Sequence, residues 1–177
     1  IGLPDKDIPM TWDQFVTYLK AITGSVDGKN VYGIGYYELM AAVYSNNADF
    51  FDADVKKQTI TDKNFIDAVQ FIADLSVKHK VAPTADEQSS QNSFQRFLNQ
   101  GCVFTFMGPW DCKQFWNDLT FEFDIVPTPV GPAEGAKSTY IEGEGLSTLP
   151  VPTKAGYKFL GWYVGEELVE AISKEQT

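Results

Sequence analysis

Segments with a helical period alternate with short apolar segments along most of this chain. Between residues 11 and 126, apolar side chains recur at helical spacing in three long stretches, and shorter apolar runs separate them. Such alternation favours an α/β architecture in which helices cover a small mixed sheet. We therefore expect one α/β lobe over residues 1–148. Helices are predicted at about 11–23, 62–79 and 89–100, and strands at about 31–35, 102–107 and 122–126.

The first predicted helix carries its own start signal. Thr11 and Gln14 form a T-x-x-Q capping box, in which the two side chains satisfy backbone N–H groups of the first helical turn. The stretch SVDGKN follows this helix and predicts a turn, and VYGIGYY predicts the strand after it. The start of the lobe is therefore well specified by local sequence.

Residues 149–177 differ in character from the lobe. The stretch LPVPTKAGYKFLGWYVGEELV is rich in Pro, Gly and aromatic residues, which is typical of a small β-rich unit. A segment this short cannot bury a sufficient core alone. We expect a boundary near Thr148 and a tail that packs on the lobe, pairs with another chain or is mobile.

The charge balance excludes several classes of partner. Asp and Glu total 24 against 14 Lys and Arg, which gives a formal charge of −10 and a pI near 4.5. Nucleic acids and anionic membranes both require a basic surface, so neither is an expected partner. The single His and two Cys are too few for a metal site, and no cofactor motif is present in the sequence. No metal or cofactor is expected.

The two cysteines are predicted to be separate thiols. Cys102 and Cys112 are joined through CVFTFM, a predicted strand that carries the chain about 17–20 Å. A disulfide requires Cα atoms within about 7 Å of each other. We therefore expect no bridge between them and interpret them mainly as small buried apolar residues.

Glu142 and Glu144 are the most enzyme-like pair in the sequence. In IEGEG they would lie on the same face of a strand, with Cα atoms about 6.5–7 Å apart. Two carboxylates perform the chemistry of glycoside hydrolases, although those groups normally project from different elements across a cleft. Carboxylates beside glycine can equally accept hydrogen bonds from sugar hydroxyls, or be plain solvated groups. These three interpretations remain open from the residues alone.

Three aromatic residues are candidate ligand platforms. Trp110 follows Gly108-Pro109 at a predicted strand-to-helix turn, a position from which side chains point into clefts. Its indole could stack on a sugar ring, or it could be a core residue beneath the loop. Tyr36 and Tyr37 end the glycine-flanked strand and offer both a ring and a phenol. One of these two tyrosines is expected to belong to the core.

In their order along the chain, these segments resemble the extracellular solute-binding proteins of ABC importers, in the class that includes maltose-binding protein. The resemblance runs over about residues 8–147 and implies two α/β lobes that are joined by a hinge and close on ligand. Most of the match falls on the second lobe, and the first lobe has no expected counterpart here. The matching stretches are PMTWDQFVTYLKAIT, VYGIGYY, FIDAVQFIADLSVKHKVAP, FQRFLNQGCVFTFMGPWDC and FEFDIVPTPVGPAEGAKSTYIEGEGLS.

The resemblance also implies roles for individual residues. In the maltose-binding branch the Trp of the Gly-Pro-Trp turn stacks on sugar, which assigns that role to Trp110. An aromatic residue after the equivalent strand also lines the sugar site, and Tyr36 matches it best, with Tyr37 the alternative. Asp111, Glu142 and Glu144 become hydroxyl acceptors.

For the whole protein, the resemblance implies a binding protein that is not an enzyme. It would bind an oligosaccharide outside the cytoplasm and deliver it to the membrane subunits of an ABC importer. We expect a monomer that is tethered as a lipoprotein to the outer face of the cytoplasmic membrane.

The tail does not resemble this family, and it suggests an alternative function. TLPVPTKAGYKFLGWY resembles the first part of an internalin-type B repeat, a small β-grasp-like module of surface proteins. We expect either a repeat inserted in a longer protein or a chain cut from one. A surface adhesion protein that uses this repeat is the second hypothesis, and a glycoside-processing enzyme that uses Glu142 and Glu144 is the third.

Overall fold

The structure is a computed structural model that describes residues 2, 4–138, 162–164 and 167–169. The chain divides into two compact units, Ile1–Thr139 and Tyr140–Thr177. Thr148, near which the sequence predicts a boundary, lies in the second unit and outside the described residues. The exact boundary of a separate tail therefore stays a prediction.

The first unit combines helices with a three-stranded sheet, which confirms the predicted α/β class. The sheet order is β1-β2-β3, with β1 antiparallel and β3 parallel to the central β2. α1 packs against β2, and α2 packs against α3. The elements are α1 Trp12–Ile22, β1 Gly24–Val26, β2 Lys29–Ile34, α2 Leu39–Ser45, α3 Lys63–Val77, α4 Ala85–Ser90, α5 Ser93–Leu98, β3 Cys102–Phe104 and α6 Pro109–Asp118.

The predicted capping box at the start of α1 is confirmed. The Thr11 N–H donates to Gln14 Oε1 at 2.8 Å, and the Gln14 N–H donates to Thr11 Oγ1 at 3.3 Å. After α1 the chain reverses through Asp27 and Gly28, whose φ angles are 51° and 76°. Two positive φ angles are the geometry of a type I′ hairpin turn, for which Asp-Gly is a preferred pair. The predicted turn is thus the tip of the β1–β2 hairpin.

Aromatic rings form much of the core beneath the sheet. Trp12 stacks on Phe71 with ring centroids 4.1 Å apart, and Phe15 meets Phe104 edge-on at 5.5 Å. Gly33 lets α1 approach β2, because a Cβ there would come within 2.9 Å of the Leu19 carbonyl oxygen. Close packing of this kind holds β2 against α1.

The loop after residue 126 is tied to the lobe by backbone and side-chain hydrogen bonds. The Val130 N–H donates to the Met10 carbonyl at 2.8 Å, and the Trp12 N–H donates to the Val130 carbonyl at 3.0 Å. The fully buried Asn46 accepts from the Ala133 N–H at 3.1 Å and donates to the Asn64 carbonyl at 2.8 Å. One side chain therefore joins the loop to the start of α3.

The prediction of one helix over residues 89–100 is wrong. Two short helices, α4 and α5, meet at Gln91 and Asn92. The Asn92 side chain accepts a hydrogen bond from the Gln95 N–H at 2.9 Å, which is the geometry of a new helix start. Asn92 has a strong preference for the N-cap position, so it divides a stretch whose apolar residues otherwise follow one helical period.

Two strand predictions also need correction. Residues 122–126 form no strand, and Asp124 instead accepts from the Ile125 N–H at 2.8 Å, a local bond that competes with sheet pairing. The strand predicted at 102–107 shortens to Cys102–Phe104. The strands predicted at 31–35 and 102–107 do lie in one sheet, as expected. Cys102 is an unpaired, buried thiol, in agreement with its prediction.

Within the second unit, two short strands pair with each other. β4, Trp162–Val164, pairs antiparallel with β5, Glu167–Val169. These residues fall in the segment for which the composition predicts β structure. The remaining residues of that segment lie outside the described part of the chain.

Candidate functional site

The candidate site lies where the parallel strands β2 and β3 end. Beyond the ladder, the Gly35 N–H donates to the Phe104 carbonyl at 2.8 Å, and the Phe106 N–H donates to the Tyr36 carbonyl at 3.2 Å. The two chains therefore leave the sheet side by side, at one edge. In open α/β sheets, ligands bind at the carboxyl ends of the strands. Tyr36 and the Gly108-Pro109-Trp110 turn both belong to this edge.

Tyr36 reaches solvent from the end of β2. Its side chain is 41% exposed, and its hydroxyl donates to Glu38 Oε2 at 3.0 Å. Partial burial, with the Glu38 carboxylate as a further cause, raises the pKa of the Tyr36 phenol above its usual range. Glu38 also caps α2 through a 3.5 Å hydrogen bond from the Met40 N–H. The edge thus presents a ring, a phenol and a carboxylate together.

Trp110 lies in the first turn of α6. Pro109 occupies the first helical position, which suits its fixed φ, and Trp110 follows it. The Trp110 side chain is 81% exposed. Its indole nevertheless lies against the turn. A Cβ added at Gly108 would be only 2.1 Å from a ring carbon of Trp110. The structure therefore places Trp110 outside the core, with one side of its ring directed at Gly108.

Asp111 has a structural contact at this turn. Its carboxylate accepts from the Gly108 N–H at 3.2 Å, and its own N–H donates to the Gly108 carbonyl at 3.0 Å. A carboxylate at the start of a helix is also favoured by the helix dipole. Asp111 therefore stabilises the turn that carries Trp110, and its remaining acceptor capacity is what a ligand could use.

The prediction that Tyr37 could contact a ligand is wrong, because Tyr37 belongs to the core. It is 3% exposed, and its ring packs against Phe71 at 5.2 Å and Phe106 at 4.4 Å. Burial raises the pKa of its phenol strongly. Successive residues of an extended chain point to opposite sides, so Tyr36 and Tyr37 cannot share one environment. The structure assigns the exposed side to Tyr36 and the core to Tyr37.

The remaining predicted residues, Glu142 and Glu144, lie outside the described part of the chain. Sequence reasoning missed Glu38, which contributes a carboxylate at the same edge as Tyr36. The sequence does indicate Glu38, because it stands directly after two aromatic residues and immediately before a predicted helix, where a capping residue is expected.

A polar cluster supports β2 from behind the site. The Gln88 side chain donates to the Gly35 carbonyl, and the Tyr32 hydroxyl donates to Glu87. The hydrogen bond from Tyr32, with further ones from Thr84, lowers the pKa of Glu87 to about 2. The buried Arg96 donates from Nη2 to the Glu87 carbonyl at 2.8 Å. These contacts attach α4 and α5 to β2, the strand that precedes Tyr36.

A hollow of about 1000 Å³ lies elsewhere in the first unit. It runs along β3 from its amino end, between the tip of the β1–β2 hairpin and residues 121–126, and Arg96 and Phe97 line it. None of the predicted site residues that the structure describes lines this hollow. The hollow is therefore not the surface that carries Tyr36 and Trp110.

Within the described residues, no group of His, Cys, Asp and Glu side chains could hold a metal ion. None of the described helices has the length and apolar character needed to cross a membrane.

The family model for bacterial extracellular solute-binding proteins matches residues 1–170 of the chain. The chain belongs to this family. The match extends into the tail, for which the sequence suggested an internalin-type repeat, and that repeat stays a prediction. None of the curated proteins compared with this solute-binding protein chain matches it.

Solved structures similar to this solute-binding protein chain share its fold. An ABC substrate-binding protein from Listeria monocytogenes in complex with cycloalternan has a TM-score of 0.65 at 20% identity, over 75% of this chain and 34% of that one. A maltose/maltodextrin-binding domain from Bdellovibrio bacteriovorus bound to maltotriose scores 0.58 at 19% identity, over 78% and 36%. An ABC transporter solute-binding protein from Thermotoga lettingae bound with alpha-D-tagatose scores 0.58 at 20% identity, over 73% and 35%.

The chain spans about a third of the length of these structures. It therefore corresponds to one part of a two-lobed solute-binding protein.

Proposed function

We propose that this chain supplies one wall of a carbohydrate-binding cleft in an extracytoplasmic receptor of an ABC importer. The observation that carries the proposal is the exposed Trp110 indole at the strand edge where Tyr36 also reaches solvent. Sugar rings have an apolar C–H face and a rim of hydroxyls. An aromatic ring can cover the face while carboxylates accept hydrogen bonds from the hydroxyls.

The roles of the individual residues follow from this chemistry. Trp110 is the main stacking platform, and Tyr36 is the second ring. Asp111 and Glu38 accept sugar hydroxyls with the carboxylate lone pairs that their existing hydrogen bonds leave available. Glu142 and Glu144 are proposed as further acceptors, on the strength of the family resemblance.

The relatives support a carbohydrate as the ligand class. The three similar structures are described with cycloalternan, maltotriose and alpha-D-tagatose, which are all sugars. The family consists of binding proteins, so we propose ligand capture without turnover. The receptor would act as a monomer, tethered as a lipoprotein, and deliver sugar to the importer's membrane subunits.

A binding experiment tests this function directly. The chain is titrated with maltotriose, cycloalternan and tagatose while backbone NMR shifts and the melting temperature are followed. A ligand that binds only the folded state raises the melting temperature. We expect shifts that centre on Tyr36 and residues 108–111 for at least one sugar. Shifts confined to the hollow along β3, or hydrolysis of an aryl glycoside by the chain, would contradict the proposal.

A further inference from the structure

Helix α2 has an apolar side with no described partner. Its sequence, LMAAVYS, contains no charged residue, although the helix lies at the surface. A surface helix normally presents polar side chains outward. Here Ala42, Val43 and Ser45 face the core. Met40 is 51% exposed and Tyr44 is 43% exposed, so the outward side is apolar as well.

This surface continues directly from the candidate site. α2 starts after Glu38, and Glu38 is the residue that binds the Tyr36 hydroxyl. Met40 and Tyr44 lie one helical turn apart on one side of α2, with Cα atoms about 6 Å from each other along the axis. The Tyr44 ring is braced edge-on by Phe50, with centroids 6.5 Å apart. An exposed row of three side chains thus leads away from the strand edge.

The size of this row limits what can cover it. A stable protein interface buries roughly 800 Å² on each partner and uses about 20–30 residues. A fully buried aromatic side chain contributes only about 150–250 Å². Even with Leu39, which is 37% exposed on the same helix, these side chains supply too little area for a protein partner of their own, but enough for a few sugar rings. The absence of charge on α2 likewise suits a neutral ligand.

We propose that the exposed side of α2 is an additional sugar subsite. It would hold the far end of a linear, uncharged oligosaccharide whose near end stacks at Trp110 and Tyr36. Met40 and Tyr44 cover apolar sugar faces along the helix. This inference rests on the function proposed above and adds that the receptor selects ligands by chain length.

The test compares short and long sugars on the same variants. The chain is titrated with the disaccharide and the hexasaccharide of the linear gluco-, manno- and xylo-series, and affinities are measured by NMR. Wild type is expected to bind one series, with the hexasaccharide bound more tightly. Tyr44→Ala should weaken hexasaccharide binding by about tenfold, the effect of losing one good aromatic contact, and leave the disaccharide unchanged.

Two further variants separate the ring from general surface effects. Tyr44→Phe keeps the ring and should bind the hexasaccharide as wild type does. Val77→Ala removes an exposed apolar side chain from α3 and should change neither affinity. Equal loss for both sugar lengths in Tyr44→Ala, or no loss for either, would overturn the subsite while the proposed function stands. If wild type binds no sugar in the panel, the proposed function fails and the subsite fails with it.

Discussion

Single side chains at the sheet edge differ sharply in environment although they are neighbours in sequence. Trp110 exposes most of its indole, whereas the adjacent Asp111 is engaged by the Gly108 N–H. Tyr36 exposes its ring, and Tyr37 is buried among aromatic residues. A large exposed aromatic side chain gives little to folding, because stabilisation scales with the apolar area removed from water. Residues of this kind are candidates for binding.

The first prediction concerns the platform itself. Trp110→Ala should weaken sugar binding by about 30-fold, which corresponds to a cost of about 2 kcal/mol for a central aromatic contact. Its melting temperature should stay close to that of wild type, because Trp110 is mostly exposed. Calorimetric titration and thermal unfolding measure the two effects. Trp12→Ala is the matched control: Trp12 is buried against Phe71, so this variant should lose about 3–5 kcal/mol of stability.

The second prediction concerns the orientation of that indole. Gly108→Ala places a Cβ where the Trp110 ring now lies, so the ring must move away. We expect weaker sugar binding and a shifted Trp fluorescence maximum, with a loss of stability near 1 kcal/mol from the poorer helix cap. Gly24→Ala is the control, because a Cβ there meets no atom within 4 Å. Unchanged fluorescence and affinity in Gly108→Ala would show that the indole does not rest on Gly108.

Among the elements, the start of α4 shows how one carboxylate can serve a helix and a strand. Glu87 accepts from the Thr84 N–H and hydroxyl in a capping box and also from the Tyr32 hydroxyl on β2. The cap is local, but the bond to Tyr32 joins positions far apart in sequence. Both bonds favour the ionised carboxylate, which is why its pKa is depressed.

The third prediction is a pH dependence that follows from this depressed pKa. The pKa of Glu87 is about 2 in the folded chain, against 4.5 for an unperturbed Glu. Its contribution to stability is therefore fully present above about pH 4.5 and is lost as the pH falls towards 2. When the free energy of unfolding is measured with urea from pH 7 to pH 2, it should fall less steeply with pH for Glu87→Gln than for wild type. Glu122→Gln, at an exposed position, should follow the wild-type curve.

For the whole first unit, long-range hydrogen bonds hold the loop of residues 127–138 onto the helices. Asn46 is the centre of this attachment because its amide satisfies the Ala133 N–H and the Asn64 carbonyl together. The backbone bonds between Val130, Met10 and Trp12 hold the same loop from the other side. The loop is therefore part of the compact unit.

The fourth prediction tests this attachment. Asn46→Ala leaves the Ala133 N–H and the Asn64 carbonyl without their buried partner, which should cost about 2–3 kcal/mol. Urea unfolding measures the free energy, and hydrogen exchange should show faster exchange of the Ala133 amide. Asn117→Ala on the exposed side of α6 should leave stability within about 0.5 kcal/mol of wild type. An equally small change in Asn46→Ala would mean that the loop is held by its other hydrogen bonds, those of the backbone and of the Asn47 side chain.

Local sequence determined the parts of this protein whose physics is local. The capping box at Thr11, the Asp27-Gly28 hairpin and the helical periods of α1 and α3 depend on near neighbours, and each is present. The order of these segments also carried the resemblance to solute-binding proteins. Only the tertiary structure decided which of Tyr36 and Tyr37 faces solvent, because a one-residue shift reverses every side chain of an extended segment. It also decided that residues 122–126 form no strand, since strand pairing depends on a partner that the local pattern does not specify.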